Sequence, residues 1–256
     1  MEDSANTILI DIKSLDKRFG PIHAVNNISF SVRKGEVLGF LGPNGAGKST
    51  TMKMITGFLE PTLGTVSVCG YDILEEPIKA KQKIGYLPEG APSYGEMTVM
   101  AFLDFIADIR ELKGSHKQER IEEIIKKINL ESVRHQTIET LSKGFKRRVG
   151  VAQSIMHDPE VLIMDEPTDG LDPNQKHEVR TLIKEMAVDK AIIISTHILE
   201  EVDAVCSRAI IIASGVILFD GTPADLLARS DTGKLDDVFR DITTQYYAEK
   251  GKAVAS

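Results

Sequence analysis

Nine residues, Gly42-Pro-Asn-Gly-Ala-Gly-Lys-Ser-Thr50, are of the types that hold a triphosphate. Glycines let the backbone close around phosphate oxygens with several N–H groups turned inward. The spacing is that of a P-loop, G-x-x-x-x-G-K-[ST]. Gly42, Pro43, Asn44, Gly45, Ala46, Gly47, Lys48, Ser49 and Thr50 are therefore the candidates for binding ATP. Lys48 is placed to reach the β- and γ-phosphates, and Ser49 to offer an oxygen to Mg²⁺. A helix starting near Lys48 would bring the positive end of its dipole to the same point. The alternative is a glycine-rich turn with no ligand. Its position between an apolar run and a helical pattern argues against that.

Two acids, Asp165 and Glu166, end the apolar run Val161-Leu-Ile-Met164. Open α/β sheets bind ligands at the C-terminal ends of their strands. Asp165 suits the Mg²⁺ side, directly or through a water, and Glu166 can polarise an attacking water. Adjacent strand residues face opposite sides, so the two acids should divide the work. Ile192-Ile-Ile-Ser-Thr-His197 ends a third apolar run with a histidine. His197 can contact the γ-phosphate or orient the water, or can simply finish the strand. Leu141-Ser-Lys-Gly-Phe-Lys-Arg-Arg148 opens a helical pattern that runs to about Met156, with Ser142 as an N-cap. Taken alone, it reads as a cap, a turn glycine and a solvated basic face.

These groups need a scaffold. Glu36–Leu41, Val161–Met164 and Ala191–Ile194 are continuously apolar, the pattern of central parallel strands covered on both faces. Each precedes polar or glycine-rich residues and then a helical pattern, the order of an α/β fold. Residues 1–35 alternate instead. Ile28, Phe30 and Val32 share one face of a half-buried, antiparallel strand, and Thr65–Cys69 repeats the pattern after a turn at Pro61–Gly64. Between these regions, 98–112 and 117–130 carry apolar residues at helical spacing, separated at Lys113-Gly-Ser115, so 95–142 reads as a helical insert. The chain thus divides into an ATPase domain, 1–222, and a tail, 223–256, of short helical patterns with a frayed end at Ala248–Ser256.

The bulk numbers fit. A length of 256 residues with 42% hydrophobic content supports one large domain with a sizeable core. The net charge of −7 provides no general attraction to nucleic acid or anionic lipid. Cys69 and Cys206 lack metal-ligand spacing and read as buried free thiols in a reducing compartment. The polar, acidic start, Met1–Thr7, is unlike a signal peptide. No apolar stretch is long enough to span a bilayer, so a membrane role would come through a partner.

Over roughly 8–222 the chain resembles the nucleotide-binding subunits of ABC transporters. The carrying residues are Gly42–Thr50, Leu141-Ser-Lys-Gly-Phe145 as a signature, Asp165-Glu-Pro-Thr168 as the Walker B end, Gly170-Leu-Asp-Pro173 as a D-loop, and His197 as a switch histidine. The resemblance implies a P-loop NTPase core with a RecA-like, mostly parallel sheet, an antiparallel β-subdomain and an α-helical subdomain. It also implies that two copies pair head to tail, with ATP between the P-loop of one and Ser142 and Gly144 of the other. Asp172 would couple the two sites, and Phe19 would stack on adenine, although Phe19 can also be read as a core residue. Glu89 stands where the family usually has glutamine, facing Mg²⁺ or its water, and Lys143 and Phe145 replace Gly and Gln in the signature. Lys143 would bring a cation near a phosphate. The Leu-Pro-Glu-Gly and Leu-Ser-Lys-Gly forms resemble ABC-2-type exporters, including a gliding-motility-associated and multidrug subgroup.

The expected partners are an integral-membrane permease and a second ATP-binding subunit, with the chain cytoplasmic and peripheral on the inner face of the membrane. One alternative is a soluble ABC ATPase of translation or DNA repair. Such proteins usually carry two motif sets or a long coiled-coil insert, and neither is present. A regulatory module without turnover rests only on Glu89 and Lys143.

Overall fold

The continuous and the alternating apolar runs build different sheets. The computed structural model describes residues 7–254 except Ala91 and Asp231. Most of the start read as unlike a signal peptide, and the last two residues of the tail, lie outside the described residues. Strands β3 (Val37–Leu41), β7 (Val161–Asp165) and β8 (Ala191–Thr196) are buried at every position. They lie in a six-stranded sheet with β6 (Ile84–Leu87), β9 (Arg208–Ala213) and β10 (Val216–Gly221), in the order β10-β9-β3-β8-β7-β6. All neighbours in it are parallel except β10 on β9.

The alternation inside β7 shows how the layers form. Leu162 and Met164 pack with the helices on one face, whereas Val161 and Ile163 pack with the second sheet on the other. That sheet is antiparallel, in the order β2-β1-β4-β5, from β1 (Ile8–Phe19), β2 (Ile22–Arg33), β4 (Leu63–Val68) and β5 (Tyr71–Asp72). Ile28, Phe30 and Val32 of β2 are buried as their spacing predicts. The turn expected at Pro61–Gly64 ends earlier, because Leu63 and Gly64 already belong to β4.

Helix α1 (Lys48–Ile55) follows β3 directly, and the short α2 (Pro77–Gln82) lies before β6. The helical insert contains α3 (Val99–Ile109), capped by the Thr98 side chain, and α4 (Gly114–Lys127). Two 3-10 turns then lead into α5 (Lys143–Ile155). Helices α6 (Pro173–Ala187) and α7 (Leu199–Val205) follow β7 and β8.

Two expectations fail here. The tail is not a set of short, fraying helices. After α8 (Pro223–Leu227) comes α9 (Leu235–Val254), a 20-residue helix that includes most of the stretch expected to fray. Leu226 and Val238 are buried with Leu41, Ile211 and Phe219 at the edge of the large sheet, so an apolar face orders this segment. The cysteines are free but only partly buried. Each stands just past the end of an element, Cys69 after β4 and Cys206 after α7, where the chain is leaving the core.

Candidate active site

The P-loop connects the buried end of β3 to the first turn of α1. Gly47, the N-cap, has φ of 109°, a conformation open to glycine and strained for other residues. A side-chain carbon at Gly47 would lie 2.5 Å from the Ala24 carbonyl oxygen. No side chain caps α1 and no acid stands in its first turn, so its N–H groups are left for an anion. The Gly215 N–H donates to the Ala46 carbonyl at 2.8 Å, bracing the loop from the β9–β10 turn. Lys48 is 7% exposed, and its Nζ donates to the carbonyls of Gly42 (2.6 Å) and Pro43 (3.2 Å). Burial lowers the Lys48 pKa, partly opposed by the carboxylates of Glu166, Asp165 and Glu89.

Those carboxylates share a cavity of about 760 Å³ with the loop. Its lining includes Asn44 through Thr50, Glu89, Asp165, Glu166, Asp169 and His197. Asp165 is the last residue of β7 and accepts a hydrogen bond from the Ser195 hydroxyl on β8. Glu166 lies beyond the strand with φ of 49°, so the strand alternation expected to separate the two acids does not apply, and both line the same cavity. His197 Nδ1 lies 2.9 Å from Glu166 Oε1, an arrangement in which the ring N–H donates to the carboxylate. Beneath His197, the buried Thr196 hydroxyl donates to Glu201 Oε2 on α7 at 2.9 Å, fixing the strand end. Burial raises the Glu201 pKa, the Thr196 hydrogen bond opposing it.

Ser142, Gly144 and Asp172 do not line this cavity. Ser142 caps α5, its Oγ accepting from the Phe145 N–H at 3.4 Å. Gly144 lies against α6: a side-chain carbon there would come within 2.4 Å of Gln175 Nε2. Asp172 caps α6, its Oδ1 accepting from the N–H groups of Asn174 and Gln175 at 3.0 Å. Lys143 is exposed and lines a smaller cavity of about 250 Å³ with Glu89, Glu166, Asp169, Lys146 and Arg147. Phe19 is 45% exposed beside Ile22 at the β1–β2 turn, so the core reading of this ring fails. Lys17 Nζ sits 5.1 Å from its ring centroid.

Several lining residues gave no signal in the sequence. His23 lines the phosphate cavity, with Nε2 2.6 Å from Asp16 Oδ2. Asp169 and Ser214 also line it. Arg147, one helical turn after Lys143, is buried and donates to the Asp165 and Pro167 carbonyls at 2.6 and 2.9 Å. A helical stretch of Lys-Arg-Arg looks like a solvated face until the β7 end is packed against it.

The ABC transporter family model matches residues 25–169, from within β2 through the P-loop and both acids. The probable multidrug ABC transporter ATP-binding protein YbhF of Escherichia coli is 37% identical over 93% of this chain, which spans 41% of that relative's length. The linearmycin resistance ATP-binding protein LnrL of Bacillus subtilis is 38% identical over 86% of this chain and 71% of its own length. Among solved structures, an ATP-binding subunit of an ABC transporter superposes with a TM-score of 0.82 at 29% identity, covering 91% of this chain and 99% of that one. With that likeness running through the P-loop, both acids and the whole two-sheet fold, the chain belongs to the ABC transporter family, as one of its ATP-binding proteins.

Proposed function

We propose that this ABC ATPase holds Mg-ATP between its P-loop and the Ser142–Gly144 turn of a second copy, hydrolyses it at Glu166, and drives a separate permease in an exporter. The observation that carries this reading is the convergence of Lys48, Asp165, Glu166 and His197 on one cavity, with Glu166 held 2.9 Å from His197. Lys48 and the free N–H groups of α1 bind the phosphates. Glu166 accepts the proton of the attacking water, and His197 keeps that carboxylate aimed. Phe19 offers adenine an exposed ring.

The donor set fits Mg²⁺. Ser49, Asp165 and Glu89 offer only oxygens, and among the described residues no three His, Cys, Asp or Glu side chains gather as a cage. That suits an ion that takes one or two carboxylates together with substrate phosphates. When bound, Mg²⁺ neutralises charge on the β- and γ-phosphates.

The names of YbhF (multidrug) and LnrL (linearmycin resistance) support drug export as the transport task. No helix among the described residues is long and apolar enough to cross a membrane. On this reading the permease is another chain, and this one is bound through it to the inner membrane face. A largely apolar groove of about 580 Å³, lined by Phe58, Tyr86, Pro88, Ile106 and Ile109, supports docking of an apolar permease segment. Pro88 also accepts from Arg147, so this groove adjoins the catalytic loops.

The test is Glu166→Gln under saturating Mg-ATP, followed by light scattering and phosphate release. The expected result is a stable dimer with hydrolysis reduced about 10²-fold or more. A variant that binds nucleotide yet stays monomeric removes the shared site, and one with full turnover removes Glu166 from its role.

A further inference from the structure

The end of β7 poses a packing problem. Glu166 holds φ of 49°, a region in which a residue with a long side chain is uncommon and strained. Its N–H donates to the Ser195 carbonyl at 3.0 Å, and its own carbonyl accepts from the Asp169 N–H at 3.2 Å. The turn points the carbonyls of Asp165, Glu166 and Pro167 toward α5. Converging carbonyl oxygens in a dry setting repel one another unless a cation lies among them.

Arg147 supplies that cation. It is 7% exposed, and every hydrogen bond shown for it goes to a backbone carbonyl. Nε donates to Pro167 at 2.9 Å, Nη2 to Asp165 at 2.6 Å and also to Glu166, and Nη1 to Pro88 at 3.3 Å. A planar fork of fixed donors can hold four carbonyls in register, which a single ammonium cannot. The guanidinium therefore ties three segments together: the signature helix, the turn carrying Glu166, and the Pro88–Glu89 loop.

We propose that Arg147 is a positioning residue that sets the backbone of Glu166 and ties it to the N-terminal turn of α5. Ser142 lies five residues before Arg147, about 7 Å along the helix axis. A shift of that turn on meeting the nucleotide of a second copy moves the guanidinium, and with it the carbonyls on either side of Glu166. One copy's engagement in its partner's site is thereby felt at its own catalytic carboxylate. This inference rests on Glu166 being the group that activates water.

The experiment compares Arg147→Gln, Arg147→Lys, Glu166→Gln and the Arg147→Gln/Glu166→Gln double variant in the full chain. Turnover, KM for ATP and residual single-turnover rate are measured well below each variant's melting temperature. Arg147→Gln is expected to lower kcat about 10- to 100-fold with KM nearly unchanged, the loss expected from misplacing a reacting group by about 1 Å. Arg147→Lys should fall between it and the parent chain. In the Glu166→Gln background, Arg147→Gln should cost nothing further, because both changes act on one group.

Unchanged kcat in Arg147→Gln overturns the proposal. So does a change confined to KM, or an equal fractional loss in both backgrounds. If Arg147→Gln does not fold, Arg147→Lys is read by the same criteria. Full turnover in Glu166→Gln alone refutes the role of Glu166 instead, so the two ideas fail separately.

Discussion

Helices α1 and α5 both begin at glycine-containing turns, and their N-termini are finished in opposite ways. Helix α1 has Gly47 as its cap, no side chain on its first N–H groups and no acid in its first turn. The residues of that turn share one cavity with Lys48 and the carboxylates, all from this chain. Helix α5 is capped by its own Ser142 and carries Lys143 and Lys146 in its first turns. Cations at a helix N-terminus oppose the dipole, a disadvantage that a nearby anion removes. The Ser142 contact is long, at 3.4 Å against the usual 2.9–3.0 Å, so little is lost when the hydroxyl turns to another partner. The comparison teaches that α1 has free donors beside acids of its own chain, whereas under the proposed function α5 would meet its anion only across an interface.

The largest expected effect breaks the α1 side. Lys48→Ala removes the buried ammonium that lines the P-loop cavity, so Mg-ATP affinity should fall at least tenfold and phosphate release by about 10²-fold or more. Fluorescent-nucleotide titration and a phosphate assay measure these. Near-normal affinity would mean that the loop's N–H groups suffice, and that the lysine serves only to hold the Gly42 and Pro43 carbonyls.

Ser142→Ala tests the α5 side and should separate binding from turnover. Because Ser142 lies outside the phosphate cavity of its own chain, single-chain nucleotide affinity should stay within about twofold, while ATP-dependent dimerisation and hydrolysis fall about tenfold, the worth of one charge-assisted hydrogen bond. Because the cap contact is long, losing it should cost only about 0.5 kcal/mol of stability, a small drop in melting temperature. Equal losses of monomer affinity and turnover would place Ser142 in its own chain's site.

How much of this was legible depends on where each signal resides. The P-loop, both acids and His197 were readable because a local pattern fixes both their chemistry and their place at a strand end. The buried strands β3, β7 and β8 were readable for the same reason. Helix α2 spans only six residues, too few for periodicity to register. Strands β9 and β10 were not read as strands, since their pairing is a property of the sheet. Arg147 and His23 were invisible because their partners are distant: Asp165 and Pro167 backbone for the first, a cross-turn aspartate for the second. The acids that share a cavity with Lys143 were not legible, because family position alone does not say which residues of the same chain surround it.

The smallest expected effect concerns Lys143 and Glu89 themselves. Both depart from the family pattern, and both line the 250 Å³ cavity beside Glu166 and Asp169. A lysine in the first turn of α5 is disfavoured by the dipole, and a carboxylate near Asp165 and Glu166 adds to the negative charge there. Opposite charges lining one cavity predict that each offsets part of the other's cost. Lys143→Gly and Glu89→Gln should each change the hydrolysis rate about two- to fivefold, and the double variant should return toward the parent rate, a coupling of about 0.5–1 kcal/mol. Because Glu89 and Lys143 are exposed, the coupling should shrink as salt rises from about 0.05 to 0.5 M. Strictly additive single effects, or a coupling indifferent to salt, would show that the two departures act independently and that α5 meets its partner's phosphate without help from the Glu89 loop.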